Sequence, residues 1–234
     1  MKILGLECSA QAASAAVYED GRLLCESYVD VKLTHSETLL PMLEAMLKAA
    51  ALKISDIGCL AVTVGPGSFT GLRIGISAVK GIAFALDIPC IGVSTPEAMA
   101  YNLMGQSCTA CCVMDARCKQ VYAAVFDIEG ENVTRIFPDE AVAIDVLGEN
   151  LLKMNCKKPL VLVGDGAVLC YNSFGEKCSA ALAPPHLRFQ RASGVCALAA
   201  QCTENAVTAD ELAPAYLRLP QAERELLKKE ENKT

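Results

Sequence analysis

Three short apolar runs open the chain, and they limit its fold more than anything that follows. Residues 2–8, 13–19 and 22–30 have strand-like length and composition. The last two flank Asp20-Gly21, a dipeptide suited to the positive-φ turn of a β-hairpin. The period then changes. Thr34 and Glu37 have capping-box spacing, and Leu39, Leu40, Leu43, Met46, Leu47 and Ala50 recur at helical intervals behind them, with Pro41 expected to bend the early turns. A continuous apolar strand at 59–64, a glycine-rich loop, a helix from about 72 to 86, a strand at 89–93 and a helix opened by Ser94 or Thr95 follow. A meander followed by alternating helices and strands predicts an α/β fold: a mixed sheet flanked by helices on both faces, with right-handed crossovers.

The second half starts in the same way, with strands at 109–115 and 120–127 around the polar turn 116–119. It then becomes less regular. A helix near 145–154, a strand at 160–163 ending in Gly164-Asp165-Gly166, and a helix at 195–206 are expected. The division is therefore a first lobe at 1–106, a second, less regular α/β lobe at 107–220, and a charged tail at 221–234 that reads as a frayed solvent helix or disorder.

Hydrophobic residues make up 53% of the 234 and charged residues 21%, enough apolar surface to offset the entropy of ordering the chain. Trp is absent, so the interior must be filled by small side chains that let backbones approach closely. A net charge of -6 argues against a basic face able to hold a nucleic acid unaided. Glu7 interrupts any leader-like apolar core, and stretches such as 98–114 are broken by Asn102, Gly105, Gln106 and Ser107, so the expected location is the cytosol without membrane association. Thirteen cysteines are odd in number and scattered, which predicts reduced thiols. Cys108, Cys111, Cys112 and Cys118 cluster, but their apolar setting reads as a buried strand in preference to a metal site.

Gly65-Pro66-Gly67-Ser68-Phe69-Thr70-Gly71-Leu72-Arg73-Ile74-Gly75 lies between a buried strand and a helix, where amides can gather a phosphate. It matches neither the P-loop nor G-x-G-x-x-G, so a tight turn into a crowded helix accounts for it better. Gly71, Gly75 and Ala78 form one helical stripe, and Ser77, Gly81 and Ala85 another. Each helical Gly costs about 1 kcal/mol against Ala, so these glycines predict a closely packed neighbouring helix, internal or from another chain.

The same loop, together with Ile3-Leu-Gly-Leu-Glu-Cys-Ser9, Leu39-Leu-Pro-Met42, Ile91-Gly-Val-Ser-Thr95, Met114-Asp-Ala-Arg117 and a weaker echo at Pro214-Ala-Tyr-Leu-Arg218, resembles the TsaB (YeaZ) family. The resemblance implies two ribonuclease H-like lobes of the actin, Hsp70 and sugar kinase (ASKHA) superfamily. It further implies a role in making threonylcarbamoyladenosine in tRNA, as partner of the TsaD catalytic subunit and the TsaE ATPase. In the catalytic relative two metal-binding histidines occupy a Gly-Val-Asn-His-x-x-x-His-like segment; aligned on Gly92-Val93, this chain has Thr95 and Met99 there, and neither replaces an imidazole. His35 reads as a polar helix-start residue, and His186 lies on a separate segment.

Two readings compete. In the first, Leu39, Leu40, Leu43, Met46 and Leu47 with Gly71, Gly75, Ala78 and Gly81 dock a TsaD-like subunit, or a second copy when the chain is alone. It then has no catalytic residues, metal or cofactor of its own, reaches tRNA only through the complex, and leaves room for a nucleotide at the partner interface. In the second, Glu7, Asp115 and Arg117 line a nucleotide cleft that is vestigial or, in an actin-like ATPase or small-molecule kinase, active. A zinc glycopeptidase would need a ligand cluster that the sequence does not offer.

Overall fold

The computed structural model describes residues 1–31 and 33–218; the charged tail at 221–234 lies outside them. The first sheet contains β1 (Lys2–Glu7), β2 (Ala13–Glu19), β3 (Arg22–Val29), β4 (Cys59–Gly65) and β5 (Cys90–Ser94) in the order β3-β2-β1-β4-β5. β2 is antiparallel to β1 and β3, whereas β1, β4 and β5 run parallel. Helices α1 (His35–Ala49) and α2 (Phe69–Leu86) supply the crossovers, and α3 (Thr95–Tyr101) leads out of the sheet. The hairpin turn has positive φ at both Asp20 and Gly21, the conformation that dipeptide tolerates.

The second sheet repeats the plan. β6 (Ser107–Asp115), β7 (Gln120–Glu129), β8 (Asn132–Ala143), β9 (Leu160–Val163) and β10 (Ala181–Leu182) take the order β10-β9-β6-β7-β8, with α4 (Ile144–Met154) between β8 and β9. If β6 is counted as the first strand of its lobe, the two orders are the same. The second lobe is thus more regular than its sequence implies, because β8 is a polar edge strand, mostly exposed and interrupted by Pro138, with no clean apolar alternation.

Both faces of the first sheet are covered. Leu4, Leu6, Leu60 and Val62 pack beneath α1 and α2, while Ile3, Ala16, Cys59 and Ala61 meet α7 (Ala192–Gln201) on the other side. Two-sided burial is why these strands read as continuous apolar runs, each fully buried Leu contributing about 1.5–3 kcal/mol. α7 therefore belongs to the first lobe, which corrects the expected span of the second lobe at 107–220. Its start is fixed by Glu26 of β3, whose carboxylate accepts bonds from the Ser193 backbone N–H at 3.0 Å and the Arg191 guanidinium at 2.7 Å. Val207 then bridges to Cys90, and Leu212 enters the core beneath α1 and α2.

α2 is long and apolar enough, by composition alone, to cross a membrane, with a mean hydropathy of 1.4. In the fold it packs Leu72, Ile76, Val79 and Ala83 into the first lobe, while Arg73 lies on its exposed side.

Candidate functional site

A cleft of about 860 Å³ opens between the lobes. The Pro66–Thr70 loop and the β1–β2 turn form one wall, and Asp115, Arg117, Tyr122 and Asp165 form the other. Ser68 is bonded on both sides: its N–H donates to the Ser9 carbonyl at 2.6 Å, and its hydroxyl caps α2 by accepting from the Gly71 N–H at 3.3 Å. That bonding fixes the tight turn into α2.

Glu7 and Asp115 end the first strand of their respective lobes. Their surroundings differ sharply. Glu7 is 1% exposed and lies behind the loop wall; its Oε1 accepts from the Ser9 N–H at 2.6 Å and its Oε2 has no hydrogen-bond partner among the described residues. Burial raises its pKa, while the nearby Ser9 and Thr63 groups pull it part of the way back. Asp115 accepts from the Arg117 N–H at 2.7 Å and pairs with the Arg117 guanidinium at 3.2 Å. Of the expected nucleotide residues, Asp115 and Arg117 therefore face the cleft and Glu7 is sealed behind it.

Two cleft residues escaped the sequence reading. Asp165, from the Gly164-Asp165-Gly166 turn, accepts from the Gln190 amide at 2.9 Å, and burial raises its pKa. Gln190 is 1% exposed, and its Oε1 has no hydrogen-bond partner among the described residues. The turn itself was legible as a strand end, but nothing local marks Gln190.

Residues 214–218 form a strap over the cleft. The Ala215 N–H donates to the Val64 carbonyl at 2.7 Å, and the Ala215 carbonyl lies 2.3 Å from where a Gly65 Cβ would sit, so only glycine admits this approach. Tyr216 stacks on Phe69 with ring centroids 4.9 Å apart and accepts from Arg73 Nε at 2.9 Å, while the Arg73 guanidinium lies 3.9 Å above Phe69. Arg218 crosses to the second lobe and donates to the Ala116 carbonyl at 3.1 Å. The sequence echo at 214–218 and the main loop are thus one physical unit. A second interlobe tie joins Ser94 and Glu97 at the start of α3 to Arg135 and Asp139 of β8, with the Arg135 guanidinium over Phe126 at 4.7 Å.

The expected docking surface needs correction. Leu39, Leu43, Met46 and Leu47 are buried in the first lobe's own core. Gly71 and Gly75 face inward too: a Cβ at Gly71 would lie 2.1 Å from the Cys8 carbonyl oxygen, and one at Gly75 would lie 2.5 Å from Cys8 Sγ. The close neighbour is the end of β1, not another helix. Leu40 is 53% exposed, Ala78 is half-buried and Gly81 meets nothing within 4 Å, so these three remain at the surface, joined by Phe84 at 80% exposure.

His35 Nε2 lies 2.7 Å from the Ala10 carbonyl, tying α1 to the β1–β2 turn. Cys108, Cys111 and Cys112 are buried in β6, whereas Cys118 is exposed on the following turn. Burial pushes the Cys111 and Cys112 thiols well up. Among the described residues no three His, Cys, Asp or Glu side chains are grouped to hold a metal ion.

Two lobes of one strand order around a common cleft define an α/β protein of the actin-like class, built from ribonuclease H-like halves. A family model described as TsaD, tRNA N6-adenosine threonylcarbamoyltransferase, matches residues 30–226. The chain belongs to this family, within its TsaB (YeaZ) group. The tRNA threonylcarbamoyladenosine biosynthesis protein TsaB of Bacillus subtilis is 28% identical over 95% of this chain and 96% of its own length. That of Escherichia coli is 33% identical over 61% of this chain and 62% of its own, so that alignment takes in less than two thirds of the relative. A crystal structure of a Pseudomonas aeruginosa protein with similarity to peptidase YeaZ superposes with a TM-score of 0.74 at 26% identity, covering 93% of this chain and 99% of that one.

Proposed function

We propose that this chain is the non-catalytic scaffold and dimerisation subunit of a complex that forms threonylcarbamoyladenosine in tRNA. It docks a TsaD-like catalytic subunit, works with a TsaE-like ATPase, and meets tRNA only through the assembly. Alone it pairs with a second copy; its place is the cytosol. It brings no cofactor, and any nucleotide sits at the partner interface.

The observation that carries the reading is the outer face of α1 and α2. Leu40 and Phe84 are exposed there, beside a groove of about 640 Å³ lined by His35, Leu40, Phe69, Arg73, Ile74 and Ala78. Apolar surface of this kind marks a protein contact more often than it serves a monomer. The catalytic relative's histidine positions also favour a non-catalytic role, since Thr95 and Met99 are buried in α3. Glu7, sealed behind the loop, counts against the ATPase alternative.

The test is reconstitution of tRNA modification from purified partner subunits, threonylcarbamoyl-AMP and tRNA, with this chain added or omitted. Dependence on the chain, without activity from it alone, is the expected result. Gly81→Trp and Phe84→Asp should abolish co-purification with the partner while leaving circular dichroism unchanged. Modification that proceeds equally well without the chain, or full binding by both variants, overturns the proposal.

A further inference from the structure

We propose that the interlobe cleft is a binding site for a small aliphatic amine, such as a di- or polyamine, and not for a nucleotide. The argument starts from what the second-lobe wall offers. Asp165 and the buried Gln190 are joined through the Gln190 amide N–H, so Nε2 is used and the carbonyl Oε1 remains an acceptor without a donor among the described residues. Leaving a buried acceptor unpaired costs about 1–3 kcal/mol, which an incoming N–H donor would recover.

The charges around it point the same way. Asp30, Asp115 and Asp165 line the cleft. The two lining guanidiniums are already engaged: Arg117 is bound to Asp115, and Arg218 to the Ala116 carbonyl. Two of the loop's donors are taken, the Ser68 amide by the Ser9 carbonyl and the Gly71 amide by the Ser68 hydroxyl. Asp115 is taken up by Arg117 in turn, which leaves Asp165, the Gln190 carbonyl and Asp30, itself held by Gln11, to meet a ligand, a set that repels a triphosphate and suits an ammonium. Met114, Tyr122 and Phe189 line the same cavity and offer apolar surface to a methylene chain, with the aromatic faces favouring a cation. The strap covers this space: Ala215 and Tyr216 hold it to the first lobe and Arg218 bonds the Ala116 carbonyl of the second, so loss of the Arg218 contact frees its far end.

Calorimetry of the full chain with spermidine in physiological salt, where diffuse attraction to a net charge of -6 is screened, is the direct test. One saturable site is expected, with Mg-ATP and ribose unable to compete. Asp165→Asn and Gln190→Leu should each weaken binding about tenfold, the loss of one charge-assisted hydrogen bond. If Gln190→Leu fails to fold by circular dichroism, Gln190→Met takes its place. Arg218→Ala should speed association. Multiple weak sites, binding unmoved by both wall variants, preferential binding of Mg-ATP or ribose, or no binding at all would each overturn the proposal. None of these outcomes bears on the reconstitution assay, so the two proposals fail separately.

Discussion

Replacing Gly71 by Ala separates two accounts of the small-residue helix. If the glycine only thinned a surface for a partner, alanine would stabilise the free chain by about 1 kcal/mol through helix propensity. The structure reverses the sign. The added Cβ would lie 2.1 Å from the Cys8 carbonyl oxygen and 3.3 Å from His35 Cδ2, and a backbone carbonyl at the end of a paired strand cannot swing aside. Overpacking of this kind costs about 3 kcal/mol at the upper end, leaving a net loss of about 2 kcal/mol after the propensity gain. For a chain of this size that lowers the Tm by roughly 4–8 °C. Gly81→Ala is the internal control, because nothing lies within 4 Å of its new methyl group, and it should gain about 0.5–1 kcal/mol. Urea and thermal denaturation of both variants measure the difference. A Gly71→Ala variant as stable as the parent would refute the packing assignment.

Three further expectations follow from particular contacts. Glu26→Ala strands Arg191 and uncaps α7, so it should cost about 3 kcal/mol and speed amide exchange along α7, as followed by denaturation and hydrogen exchange. Glu7→Gln removes a carboxyl whose pKa burial raises. Below the ordinary carboxylate pKa both wild-type states are protonated there. As pH rises past that value the unfolded chain releases a proton that the fold retains, so the parent loses stability relative to the variant until the raised folded pKa is passed. Denaturation midpoints at several pH values read this, and a parent that gains stability relative to the variant as pH rises through that range would contradict it. Arg135→Gln breaks the pairs to Glu97 and Asp139, which are partly exposed, and should cost about 1–2 kcal/mol while loosening the lobes in small-angle scattering.

Local signals carried the first lobe well. The Asp20-Gly21 hairpin is where the dipeptide placed it, and the Thr34/Glu37 capping box starts α1 at His35. The Ser94 cap starts α3 in the same way. β8 was missed because an edge strand with one solvated side has no periodicity strong enough to read. α2 starts at Phe69, earlier than expected, because Ser68 caps it inside the glycine-rich loop.

The site divides along the same line. Sequence alone determined that the 65–75 loop joins a buried strand to a helix, and that something must come very close to Gly71 and Gly75, since backbone conformation and helix cost are local properties. Which body comes close was settled by tertiary structure: Cys8, more than sixty residues away along the chain, fills that space, while Leu40, Gly81 and Phe84 are left outside. The return of α7 and the strap to the first lobe, and the meeting of Asp165 with Gln190, were likewise decided by long-range packing. No pattern over a few residues encodes which distant segments will share a cleft, because that choice belongs to the burial of the whole chain at once.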